Sequence, residues 1–218
     1  MAKKFLFGCL GLAVGLMLVA GLSAYFFLYR PLRATLGNLE RIHQANQRIE
    51  NRQAYEPPAA GELSREPVER FVAVQRYIWE RLEQEISVLE EKYEELGEEL
   101  QERDASLAEM MTAWSDVLQL FAEAKNIQVD ALNREDFSLA EYNFVRHAFY
   151  QALGLELLPY DLDSVAEAAH RREFAFAAED FKTEEREIAE EALAKNRDLV
   201  SEYADEARQW LLFAWWGL

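Results

Sequence analysis

The chain has 218 residues, half of them apolar, with 40 acidic against 23 basic side chains and a formal net charge of −17. That charge repels phosphate backbones and anionic headgroups, which excludes nucleic-acid binding first. The single cysteine, Cys9, excludes a disulfide framework, a thiol nucleophile or a cysteine zinc cluster in the rest of the chain, while the apolar content is sufficient for one core, so the acidity is not that of a disordered tail.

Residues 5–29 run 25 positions without a charged side chain, after Lys3 and Lys4 and before Arg30 and Pro31. At 1.5 Å per residue such a helix is about 37 Å long, enough to cross a hydrocarbon core of about 30 Å with some tilt. A single N-terminal transmembrane helix is the expectation. A cleaved signal peptide competes, with Val19-Ala20-Gly21 as a small-residue site, but the apolar run continues to Tyr29, beyond the roughly 7 to 15 residues usual for a signal core. Leu6-Phe7-Gly8-Cys9 imitates a lipoprotein box and leaves too little apolar sequence ahead of Cys9. Gly8, Gly11 and Gly15 share one face, and the GxxxG from Gly11 to Gly15 marks them as membrane-helix packing positions, for a homodimer or a partner's helix. Glycine is also common in membrane helices without pairing. Tyr25, Phe26, Phe27 and Tyr29 suit the headgroup layer.

Lys3 and Lys4 ahead of the first apolar run are an export signal, which sets the N-terminus in the cytoplasm and the large domain in a bacterial periplasm, tethered to the inner membrane as a single-pass protein. Arg30, Arg33, Arg41 and Arg48 pull the other way on a plain positive-inside count, and long domains translocate largely regardless of charge.

Residues 32–53 carry a thin helical stripe, Leu32, Leu36, Leu39, Ile42 and Ile49, interrupted by His43 and Asn46, and read as a juxtamembrane stalk. Two prolines and a glycine at 55–61 mark a linker. From Ser64 the positions Val68, Val72, Gln75, Trp79, Leu82, Ile86, Leu89, Tyr93, Leu96 and Leu100 recur at alternating steps of four and three, an apolar seam broken only at Gln75. That seam suits a coiled coil, while Phe71, Val74 and Ile78 widen its first half toward the broad stripe of an antiparallel bundle helix.

Ser106-Leu107-Ala108-Glu109 is a capping box opening a helix whose face is Leu107, Met110, Met111, Trp114, Val117, Leu118 and Phe121. A polar loop is expected at 126–136. Ser138-Leu139-Ala140-Glu141 repeats the cap before Tyr142, Val145, Phe149, Ala152 and Leu153, and Gly154 is a suitable stop. Ser164-Val165-Ala166-Glu167 opens another helix, and residues 184–207 again place apolar side chains at helical spacing. Phe71-x-x-Val74-Gln75-x-x-Ile78-Trp79-x-x-Leu82 echoes Tyr142-x-x-Val145-Arg146-x-x-Phe149-Tyr150-x-x-Leu153, as two related hairpins or any two wide amphipathic helices would. No stretch sustains a period of two.

Chemistry is sparse. Glu40-x-x-His43 and Glu167-x-x-His170 have the spacing by which a carboxylate and an imidazole share a metal in di-metal bundles, but glutamate is abundant here and His43 falls in the expected stalk. His147 reads as a structural histidine, and Ser64, Ser106, Ser138 and Ser164 read as caps. There is no GxSxG, P-loop or HExxH, so neither catalysis nor a cofactor is expected. The end of the chain places Trp210, Phe213, Trp215 and Trp216 within seven residues, too apolar to stand in water. That tail is expected either to pack on the bundle's own core or to serve as a candidate interaction element against a partner or the membrane interface.

The expected architecture is all-α: a transmembrane anchor at 1–30, a helical stalk and Pro-rich linker at 31–62, and an acidic antiparallel helical bundle at 63–218. The expected role is association with a protein partner or with a second copy, as a scaffold, adaptor or accessory subunit of a membrane complex. The competing role is a ligand-binding module with an apolar pocket lined by Trp114, Phe121, Tyr142 and Phe149.

Overall fold

The computed structural model describes residues 30–100, 103–157, 162–171 and 188–218. The expected membrane helix, with Gly8, Gly11 and Gly15, lies outside them, and among the described residues no helix is long and apolar enough to cross a membrane. All regular structure described is helical: α1 (Arg30–Asn46), α2 (Arg65–Glu99), α3 (Leu107–Arg134), α4 (Leu139–Ala152), α5 (Leu162–Arg171), α6 (Glu190–Val200), a 3-10 turn (Ser201–Tyr203) and α7 (Ala204–Ala214).

α2 is 35 residues long, about 52 Å, and runs antiparallel to α3. Lys92 and Tyr93 of α2 reach Asp116 near the start of α3, whereas Arg70, at the other end of α2, reaches the Glu135 carbonyl just beyond α3. The first half of α2 buries the broad stripe Val68, Phe71, Val72, Val74, Ile78 and Leu82. α4 lays Tyr142, Val145, Phe149 and Ala152 against it, with the Phe71 ring 4.9 Å from Phe149 and 5.5 Å from Tyr142. Offset and edge-on rings of this kind hold a core by area burial and by their quadrupoles together.

The stretch expected as a stalk and linker is part of this core. Leu39, Ile42, Ala45 and Ile49 are buried, with α1 packed most extensively on α3 and also against α5. The Arg48 side chain donates to Asn126, and Asn133 caps the turn after α1 by donating to the Arg48 carbonyl and accepting from the Glu50 N–H. The Pro-rich strap that follows forms no helix or strand, as its prolines dictate, but it is docked: buried Asn196 of α6 accepts from the Leu63 N–H at 2.7 Å and donates to the Gly61 carbonyl at 3.0 Å. Gly61 sits at φ +74°, and a Cβ there would come within 2.9 Å of Ile188, so glycine is required on both counts.

The loop expected at 126–136 is helix as far as Arg134. Its polar residues misled because they are used internally: Gln128 is buried and donates to the Gly217 carbonyl at 2.9 Å, and Asn133 holds the turn after α1. The helix ends where Asp136 takes φ +52° and the Phe137 N–H returns to the Leu132 carbonyl. α4 stops as expected, with Gly154 at φ +71° and paired bonds from Gly154 to Gln151 and from Leu155 to Tyr150. The capping box at Ser106 and Glu109 is complete, and Ser138 accepts from the Glu141 N–H. Ser164 differs: α5 begins two residues earlier, so Ser164 lies inside its first turn.

Candidate functional site

Beyond Leu82 on α2 and before Leu118 on α3 full burial ends, Ile86 and Val117 are the last side chains packed against the core, and among the described residues the two helices then continue together. No residue described between 83 and 117 is buried, so among the described residues this part of the hairpin is a free arm, its α2 half about 25 Å long. The cause is legible in side chains: this half of α2 offers the narrow seam Ile86, Leu89, Tyr93 and Leu96, enough for one neighbour, and glutamate fills most of the remaining positions.

The arm is braced along its length. The Tyr93 hydroxyl donates to Asp116 at 2.7 Å, and Lys92 pairs with the same carboxylate. Desolvation, then the bond to Asp116, pushes the Tyr93 hydroxyl up to about 12, which keeps it a donor at any physiological pH. At the tip Arg103 grips Glu109 with two bonds of 2.6 and 2.9 Å, and Glu109 also accepts from the Ser106 N–H. Those partners, Arg103 first, hold the Glu109 carboxyl down at about 2.

Large apolar groups nonetheless face water here. Val88 is 58% exposed, Leu107 60%, Met110 53% and Trp114 49%. Leu107, Met110 and Trp114 follow one another at helical spacing on the face of α3 that, deeper in the bundle, carries buried Leu118 and Phe121, so the core stripe runs on past the end of the core. On another side of the arm, open grooves of about 430 and 360 Å³ lie between the two helices and meet at Lys92.

The other expected sites are placed differently. Trp210 and Phe213 are buried, and Trp216 packs its ring 5.4 Å from Phe121. Trp215 donates its indole N–H to the Glu156 carbonyl at 3.0 Å. A glycine turn at Gly217, φ +89°, then sinks Leu218 into the core, where Gln75 donates to its carbonyl at 3.3 Å and Arg146 donates to that of Ala214 at 2.8 Å. Through these contacts the tail packs on the bundle's own core, with Leu212 left exposed. Of the residues expected to line an apolar pocket, Phe121, Tyr142 and Phe149 are buried in the core and Trp114 stands half exposed on the arm.

The two Glu-x-x-His motifs meet. α1 and α5 cross antiparallel so that His170 Nδ1 lies 3.0 Å from Glu40, His43 Nδ1 lies 3.5 Å from Glu167, and the imidazoles stack at 4.2 Å with planes 14° apart. The bond to His170, followed by one from Gln44, lowers the Glu40 pKa. A metal bound by both rings must lie in both ring planes, and stacked, nearly parallel rings share no such point close by. Among the described residues no group of three or more His, Cys, Asp or Glu is placed to hold a metal ion. The motifs form a reciprocal polar clasp between helices, joined by Lys125 of α3, nearly inaccessible and 2.7 Å from Asp163 of α5.

No protein family, curated protein or solved structure matches the chain. The arm's signal in the sequence was the loss of Phe71-like stripe-wideners after Leu82, which marks where α2 gives up all neighbours but one.

Proposed function

We propose that this chain is a membrane-anchored helical interaction protein, a scaffold, adaptor or accessory subunit of an inner-membrane complex, whose docking element is the free arm of α2 and α3. Residues 5–29 supply the anchor, with the N-terminus in the cytoplasm and the acidic bundle in the periplasm, and Gly8, Gly11 and Gly15 as contact positions within the membrane. The observation that carries the reading is the arm itself: four large apolar side chains held in water on a braced two-helix projection. Exposed apolar stripes of this kind on a helical projection mark a surface that another protein covers.

The test is isolation of the full chain from native membranes in mild detergent, wild type beside Met110→Glu and Trp114→Glu. A membrane protein recovered with the wild type and lost from both variants is the expected result. Recovery of the wild type alone and monomeric, or of the same partner with all three, overturns the proposal.

A further inference from the structure

The grooves on the arm define what kind of partner it takes; this step rests on the interaction reading above. The inner groove has an apolar floor of Val88, Leu89 and Leu120 and a rim of Glu85, Asp116 and Glu123, and the outer one continues past Lys92 to Leu96 and Ala108. From Gln84 to Leu96 the two adjoining grooves, which meet at the Lys92–Asp116 pair, together span about 18 Å, three to four turns of a helix lying alongside. Two antiparallel helices with such grooves lack only a third helix to make a three-helix bundle.

Charge selects the occupant. Residues 80–123 hold 14 acidic and 3 basic side chains, while the rest of the chain holds 26 and 20. Of the three cations, Lys92 is tied to Asp116, Arg103 to Glu109, and Arg81 lies over the Tyr77 ring. A second copy of the arm would bring the same negative density well within the screening length of about 8 Å, and an anionic lipid surface is repelled for the same reason. We infer that the groove binds an amphipathic helix of a partner protein, apolar on one face and flanked by Lys and Arg, as the third helix of the arm. Apolar side chains at i, i+3 or i+4, and i+7 sit on Val88, Leu89 and Leu120, and the flanking cations meet Glu85 and Glu123.

The test uses the full chain in uncharged detergent and two fluorescent 18-residue helical peptides with an identical leucine face, one with lysine flanks and one with glutamate flanks, read by anisotropy against empty micelles. The lysine peptide is expected to bind, weakening as salt rises, and the glutamate peptide is expected not to. Val88→Glu separates docking from mere attraction: it adds a negative charge at a site already open to water, so non-specific attraction would strengthen, whereas seating in the groove weakens at least tenfold. Glu85→Lys with Glu123→Lys is expected to weaken the lysine peptide at least tenfold. Equal binding of both peptides, or undiminished binding to Val88→Glu, overturns the inference. So does dimerisation of the wild type through the arm, seen in sedimentation and abolished by Val88→Glu. A native partner lost from Met110→Glu and Trp114→Glu but kept by Val88→Glu and by the double charge reversal leaves the interaction reading standing and removes the basic helix. The expected peptide pattern with no partner recovered does the reverse.

Discussion

Replacing Asn196 with alanine tests whether the Pro-rich strap is part of the folded body. The side chain is fully buried and bonded on both sides, accepting from the Leu63 N–H at 2.7 Å and donating to the Gly61 carbonyl at 3.0 Å. Truncation leaves one N–H and one C=O out of contact with water and without a partner, each costing about 1–3 kcal/mol. Allowing for partial relaxation of an exposed strap, the loss is about 3 kcal/mol, or about 6–12 °C in Tm for a chain of this size. Urea and thermal unfolding of the full chain in detergent, followed by far-UV circular dichroism, reads that loss directly. Trypsin supplies an independent readout, because a strap released from α6 exposes the bond after Arg52 to rapid cleavage. A loss below about 0.5 kcal/mol with unchanged cleavage would refute the clamp, and with it the claim that residues 31–62 belong to the same cooperative unit.

Three further outcomes are expected. Trp210→Ala removes a buried indole and should cost about 3–5 kcal/mol, whereas Trp114→Ala, half exposed on the arm, should change stability by less than about 0.5 kcal/mol; denaturant midpoints of the two variants separate core from surface. Gly61→Ala and Gly154→Ala both force a positive φ on alanine, but only at Gly61 does the new Cβ collide, with Ile188, so Gly154→Ala should cost about 1 kcal/mol and Gly61→Ala clearly more in the same assay. Glu109 has its folded pKa lowered from 4.5 to about 2, so its contribution is present above pH 4.5 and fades as pH falls toward 2. Hydrogen exchange at the start of α3 should therefore be slower in wild type than in Glu109→Gln at neutral pH, with the difference gone near pH 2.

The helices, their caps at Ser106 and Ser138 and the stop at Gly154 are readable because each depends on neighbours in sequence. Tertiary partnership is not local. α1 looked like a stalk because its apolar stripe is thin, yet it is completed by Asn38 and Ala45, which are buried beside Leu39 and Ile42. Gln128 and Asn133 looked like loop residues because their bonding partners, Gly217 and the turn after α1, are more than 80 residues away. The Phe71 and Tyr142 echo carried more than was evident from the pattern: Gln75 and Arg146 occupy equivalent positions in it, and both donate to main-chain carbonyls of the C-terminal tail. Gly217 followed by apolar Leu218 is a helix-stop signal as clear as Gly154, and it alone would have pointed the tail inward.

Because α1 lies lengthwise on α3 and α5, tension applied at residue 30 along the helix axis meets the structure in shear. The contacts of Leu39, Ile42, Ala45 and the His–Glu clasp share the load simultaneously instead of parting one by one, as they would if peeled from an end. Load applied at that end is resisted far better than the modest number of polar links would imply.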